Sequence, residues 1–166
     1  MTENQTLEIL KGAILFERKG KAFYENVASQ TNNDGVKEVF ETMAEEEENH
    51  IEVLSNHYKS LVEKGKLSNI TYETNPKKIS ASVLTEKIKQ EISAASYEAA
   101  AISAAMAMEQ NAVKFYSERA VATDNDLEKE LYNWLSLWEK THLQFLSDLD
   151  NELKESVWYD NKFWPM

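Results

Sequence analysis

The sequence predicts an all-α chain: an antiparallel four-helix bundle with a long crossover between the second and third helices. Three observations lead there. With only 4 Gly and 2 Pro in 166 residues, the chain has too few breakers for a turn-rich β protein and keeps long runs of Ala, Glu, Lys and Leu intact. Apolar residues recur at alternating steps of three and four on four separate segments, the seam pattern of packed helices. Finally, Glu17, Tyr24, Glu47 and His50 recur as Glu109, Tyr116, Glu139 and His142 at a constant offset of 92 positions (109 − 17, and the same for the other three). Each half is therefore expected to be one helical hairpin. At this length and 42% hydrophobic content, a single domain over 1–166 with one core is expected.

The first hairpin covers about residues 6–65. Its first helix is expected from about Thr6 to Gln30, opened by a capping box at Thr2-x-x-Gln5 and stopped by the cluster Thr31-Asn32-Asn33-Asp34-Gly35. The second runs from about Gly35 to Lys64, with Asp34 as candidate N-cap and Gly65 as a left-handed stop. Between about 66 and 80, Leu67, Ile70 and Tyr72 are scattered among polar residues and Asn75-Pro76 disfavours a helix, which marks the crossover. The second hairpin covers about 82–155. Helical character resumes at Ser82, and the Ala-rich run from Ala94 to Ala107 leads into Glu109, so the third helix is either long or split near Ser93 to Ser96. Asn125-Asp126 repeats Asn33-Asp34 at the same offset and opens a fourth helix over about Leu127 to Glu155. The tail 156–166 carries Trp158, Tyr159, Phe163 and Trp164, which are expected to fold back on the bundle or onto a neighbouring subunit.

Composition also excludes several chemistries. Without cysteine there is no disulfide, thiolate metal site or cysteine nucleophile, so a metal would need N and O ligands. A net charge of −11 with no Lys/Arg stripe disfavours nucleic acid and favours cations, although solubility alone also accounts for it. The polar N-terminus and the lack of a long apolar run point away from a membrane and towards the cytoplasm.

The glutamates and histidines of the repeat sit where a seam should be apolar. On the second helix the stripe reads Val36, Phe40, Met43, Glu47, His50, Leu54, His57, Leu61; on the fourth it reads Tyr132, Leu135, Glu139, His142, Leu146, Leu149, Leu153. Leu10, Ala13, Glu17, Gly20, Tyr24 and Val27 line the first helix, and Ile102, Ala105, Glu109, Ala112 and Tyr116 the third. Each helix thus turns a Glu inward. An ionised carboxylate in an apolar core costs roughly several kcal/mol, and four in one layer also repel one another. Two divalent cations would supply the missing positive charge. The i, i+3 spacing of Glu47 to His50 and of Glu139 to His142 puts a carboxylate and an imidazole one turn apart on one face. The candidate metal ligands are therefore Glu17, Glu47, His50, Glu109, Glu139 and His142, with no catalytic residue beyond them; Tyr24 and Tyr116 are candidate hydrogen-bond partners of the carboxylates or, equally, large amphipathic core residues. The run Glu45 to Glu48 by itself reads as a solvated acidic face. However, two of only three histidines fall at matching repeat positions, each three residues after a Glu. The third, His57, lies one heptad past His50, about 10 Å along the axis. Its repeat partner is Leu149, so it is expected to be a core or boundary residue. Trp138, next to Glu139, is expected to be interhelical packing.

At these residues the chain resembles the rubrerythrin and ferritin-like superfamily. Glu17, Glu47-x-x-His50, Glu109 and Glu139-x-x-His142, with the long link between the hairpins, match its di-iron pattern over about residues 8 to 155. The resemblance implies that Glu47 and Glu139 bridge two Fe ions, that Glu17 and Glu109 are terminal, and that His50 and His142 cap one metal each. The same donors would accept Mn or Zn. It further implies an oxidoreductase, a peroxidase or ferroxidase acting on peroxide or O₂ in the setting of oxidative stress, and a stand-alone domain; with no extra C-terminal helix of the kind that lines ferritin cages, a homodimer or another small oligomer is expected. Rubrerythrin carries an extra Glu where this chain has Ala112, and a cysteine-ligated rubredoxin domain, which this chain lacks. No rubredoxin iron is therefore expected, and electrons would come from a separate donor protein or from substrate iron. Glu48 stands where bacterioferritin has its haem-binding Met, so no haem is expected. The alternatives are an iron-storage protein and a non-catalytic interaction protein stabilised by metal.

Overall fold

In the computed structural model the described residues are 2–72 and 97–160, with side chains as far as 155. They form four helices: α1 (Glu3–Gln30), α2 (Asp34–Lys64), α3 (Tyr97–Ala122) and α4 (Asp126–Asp160). No strand occurs among them. α1 packs along α2 and α3 along α4, each pair joined by a three-residue link that forces the hairpin.

The helix ends follow local chemistry. Thr2 and Gln5 form the expected reciprocal capping box, which lets α1 start at Glu3 rather than near Thr6. The cap of α2 is Asn33, not Asp34: its side-chain oxygen accepts from the Val36 amide at 2.9 Å, and Asp34 is already helical. Asn125 repeats that device at α4, accepting from the amides of Leu127 at 3.0 Å and Glu128 at 3.1 Å. Thr31 and Thr123 repeat as well, each accepting through its hydroxyl from the amide of the Asn two residues on, Asn33 and Asn125. Gly65 ends α2 with φ 65°, a left-handed conformation that side chains disfavour. Helix α4 runs on to Asp160, so the first residues of the expected tail continue the helix. The question of a split third helix, the resumption at Ser82 and the last six residues fall outside the described residues.

The core consists of two apolar clusters. One joins the late part of α1 (Tyr24, Val27), the start of α2 (Val36, Phe40, Met43), the start of α3 (Ile102, Ala105) and the late part of α4 (Leu146, Leu149). The other joins Leu10 and Ala13, Leu54 and Leu61, Ala112 and Tyr116, and Leu131, Tyr132 and Leu135. These memberships fix the directions: each hairpin is antiparallel, α2 ends at one end of the bundle, and α3 begins at the other. The inward glutamates and histidines lie between the two clusters. At the bundle end, buried Glu128 accepts from Thr6 at 2.8 Å and from Thr123 at 2.9 Å, tying α1 and the end of α3 to α4.

Asn33→Ala should lower the unfolding free energy by about 1 kcal/mol, whereas Asn33→Asp retains most of the cap. Urea unfolding tests this: the expected result is a lower midpoint at unchanged slope, and equal losses in both variants would contradict it.

Candidate metal centre

Glu17, Glu47, His50, Glu109, Glu139 and His142 are each no more than 3% exposed and converge in the layer between the two clusters. They arrange as two groups that share two members. Glu17, Glu47, His50 and Glu139 form one, and Glu47, Glu109, Glu139 and His142 the other; within each group, one candidate ligand atom per residue lies within 4.8 Å of the rest. Both imidazoles face the carboxylates with Nδ1. That of His50 lies 3.2 Å from Glu17, 3.4 Å from Glu47 and 3.1 Å from Glu139. That of His142 lies 3.5 Å from Glu109, 3.4 Å from Glu139 and 3.9 Å from Glu47. Glu47 presents Oε2 to His50 and Oε1 to His142, while Glu139 presents Oε1 to His50 and Oε2 to His142. Each central carboxylate therefore divides its two oxygens between the two groups.

The tyrosines exchange partners between helices. Tyr24 donates to Glu109 and Tyr116 to Glu17. The cause is the antiparallel pairing of α1 and α3: a residue seven positions past one glutamate comes level with the other. Gly20 faces Glu47 from α1, and a Cβ there would sit in ordinary van der Waals contact with the Glu47 carboxyl carbon at 3.5 Å.

Electrostatics mark the layer as short of positive charge. Burial, with Glu139 and Glu17 beside it, holds the Glu47 carboxyl well above its usual range. Burial and Glu139 raise Glu109 to about 8. For His50 and His142 burial favours the neutral ring, but the surrounding carboxylates outweigh it and hold both imidazoles well above 6.5. Burial also opposes ionisation of Glu139, yet His50 and His142 on either side hold it below the ordinary carboxylate range. Tyr24 and Tyr116 are held well above the usual phenol value, by burial first and by neighbouring glutamates second. Among the described residues no lysine or arginine pairs with the four glutamates. Glu47 Oε2, Glu139 Oε1 and His142 Nδ1 also lack a hydrogen-bond partner there. Buried oxygen and nitrogen donors left unsatisfied around shared carboxylates fit a pair of divalent cations.

Sequence reasoning missed one residue outright. Glu46, placed with a solvated run, is 4% exposed and pairs through Oε2 with Nε2 of His142. Only Glu45 and Glu48 of that run are exposed. The available signal was its spacing, three after Met43 and four before His50, on a stripe wider than a single seam. Trp138 packs between helices as expected, and its partner there is a histidine of the layer: it stands edge-on to His50 of α2 at 5.6 Å and to His142 of its own helix at 6.4 Å. His57 is a buried histidine held by Tyr72 at 2.7 Å, outside both groups.

A protein-family model described as Rubrerythrin matches residues 8–150. No curated protein and no solved structure matches the chain. Among the described residues, no helix is long and apolar enough to cross a membrane.

Groups whose pKa is raised by folding add stability that is complete below the unfolded value and lost as pH climbs towards the folded one. For Glu109 that window runs from 4.5 to about 8. His57, lowered from 6.5 to about 4, acts in the opposite sense but only below 6.5. Metal-free protein should therefore lose thermal stability between pH 6.5 and 8, and an added divalent cation should restore it. Thermal melts followed by circular dichroism test this, and a Tm that stays level or rises across the interval would contradict it.

Proposed function

The chain belongs to the rubrerythrin family, and from that membership and the buried Glu/His layer we propose a di-iron oxidoreductase that acts on peroxide or dioxygen. The observation that carries this reading is the sharing of Glu47 and Glu139 between the two ligand groups. In it, Glu47 and Glu139 would be shared by two cations, Glu17 with His50 would help hold one, and Glu109 with His142 the other. Two ferrous ions held this way would each supply one electron to a bound oxidant.

The protein's own part is positioning and exclusion. The apolar clusters on both sides keep bulk water from the layer and strengthen every charge interaction within it. Tyr24 and Tyr116 stay protonated and hold the terminal carboxylates by donated hydrogen bonds, which fixes their orientation across α1 and α3. Both histidines turn Nδ1 inward, leaving Nε2 to the outer environment. A cavity of about 370 Å³ lies against His50, bounded by Glu46, Tyr72, Trp134 and Trp138, and its size suits entry of a small oxidant.

Anaerobic titration with Fe(II) should saturate at two ions per chain, and hydrogen peroxide should then oxidise them rapidly, as read from ferric absorbance. Glu47→Ala, which removes one bridge, should remain folded in the absence of metal while losing both the second ion and the rapid oxidation. A stoichiometry near zero for the unmodified chain would overturn the proposal.

A further inference from the structure

The repeat that builds the centre breaks down around its histidines. Glu46 and Thr42 of α2 correspond, at the offset of 92, to Trp138 and Trp134 of α4. His142 therefore meets a carboxylate: its Nε2 pairs with Glu46, and both side chains are buried. His50 meets indoles instead, with Trp134 and Trp138 each 5.6 Å away and edge-on. Its Nε2 has no hydrogen-bond partner among the described residues. An indole donates but cannot accept, so Trp138 cannot take a proton from an imidazole N–H as Glu46 can.

Resting on the di-metal reading, we infer that Glu46 makes the two metal positions unequal, the one capped by His142 binding its cation more tightly than the one capped by His50. The cause is the outer partner. When His142 binds a cation through Nδ1, its proton sits on Nε2 and is donated to Glu46, which fixes the ring and makes the inner nitrogen a stronger donor. His50 presents the same Nδ1 to an equivalent set of carboxylates, but its outer N–H is left without an acceptor, which lowers its affinity. Removing such an outer carboxylate typically weakens metal binding by about 10- to 100-fold, and a difference of that order is expected between the two positions. The His142 position fills first on loading, and the His50 position, which borders the cavity, is the first to empty.

Glu46 is thus a positioning residue, and its role is read from binding rather than turnover. Calorimetric titration of the metal-free chain with Co(II) should resolve two events of about one ion each. Glu46→Gln should weaken the tighter event by about 10-fold or more and leave the other within a few-fold. His50→Ala should keep the tight event, and His142→Ala only the weak one. A crystal of the unmodified protein given one equivalent of Co(II), examined by anomalous scattering, should show the ion beside His142. That last measurement needs no variant to fold. Equal occupancy beside both histidines, or a Glu46→Gln change that weakens both events alike, would overturn the inequality while leaving a two-metal centre standing. No Co(II) bound at all would instead remove the di-metal reading beneath it.

Discussion

Four carboxylates confined between two apolar clusters are the constraint on which the rest of this bundle depends. Each helix contributes one, and no lysine or arginine among the described residues offsets them. The protein itself meets the problem partly with protons. Glu47 and Glu109 are pushed up, both imidazoles are held in their charged form, and Glu139, enclosed by those imidazoles, is held below the ordinary carboxylate range. That compromise leaves several buried oxygens and one inward nitrogen unsatisfied, a costly state in a low-dielectric core. Cations of charge +2 resolve it more completely than protons, because one ion can satisfy donors from three helices at once.

The surrounding structure can be understood as support for that layer. The crossed tyrosines tie α1 to α3 through Glu109 and Glu17. The caps at Asn33 and Asn125 and the Glu128 clasp fix the helix ends, and with them the register that brings Glu47 level with Glu139. A shift of one residue on any helix would turn its glutamate by roughly 100° away from the centre.

Departure from symmetry is as informative as symmetry itself. The 92-residue repeat is kept for the inward carboxylates, histidines, tyrosines and caps, but lost at Glu46 and Trp138 and at Thr42 and Trp134. Retained positions all point into the bundle or close its turns. The Glu46 and Trp138 pair lies just outside the histidine rings, where it gives His142 a carboxylate and His50 an indole.

The sequence alone determined the all-α architecture, the two hairpins, the six converging side chains, the Thr2 and Gln5 box and the Gly65 stop. These follow from helical periodicity and short-range capping, which depend on neighbours within a turn or two. It misassigned the α2 cap to Asp34, because Asn33 and Asp34 have similar capping preferences and only backbone geometry separates them. Tertiary structure alone decided that Tyr24 serves Glu109 rather than Glu17, that Glu46 leaves its acidic run to meet His142, and that Trp138 stands against His50. Those pairings join residues 85 and more positions apart, and their selection depends on how antiparallel helices come level with one another, which no local pattern encodes.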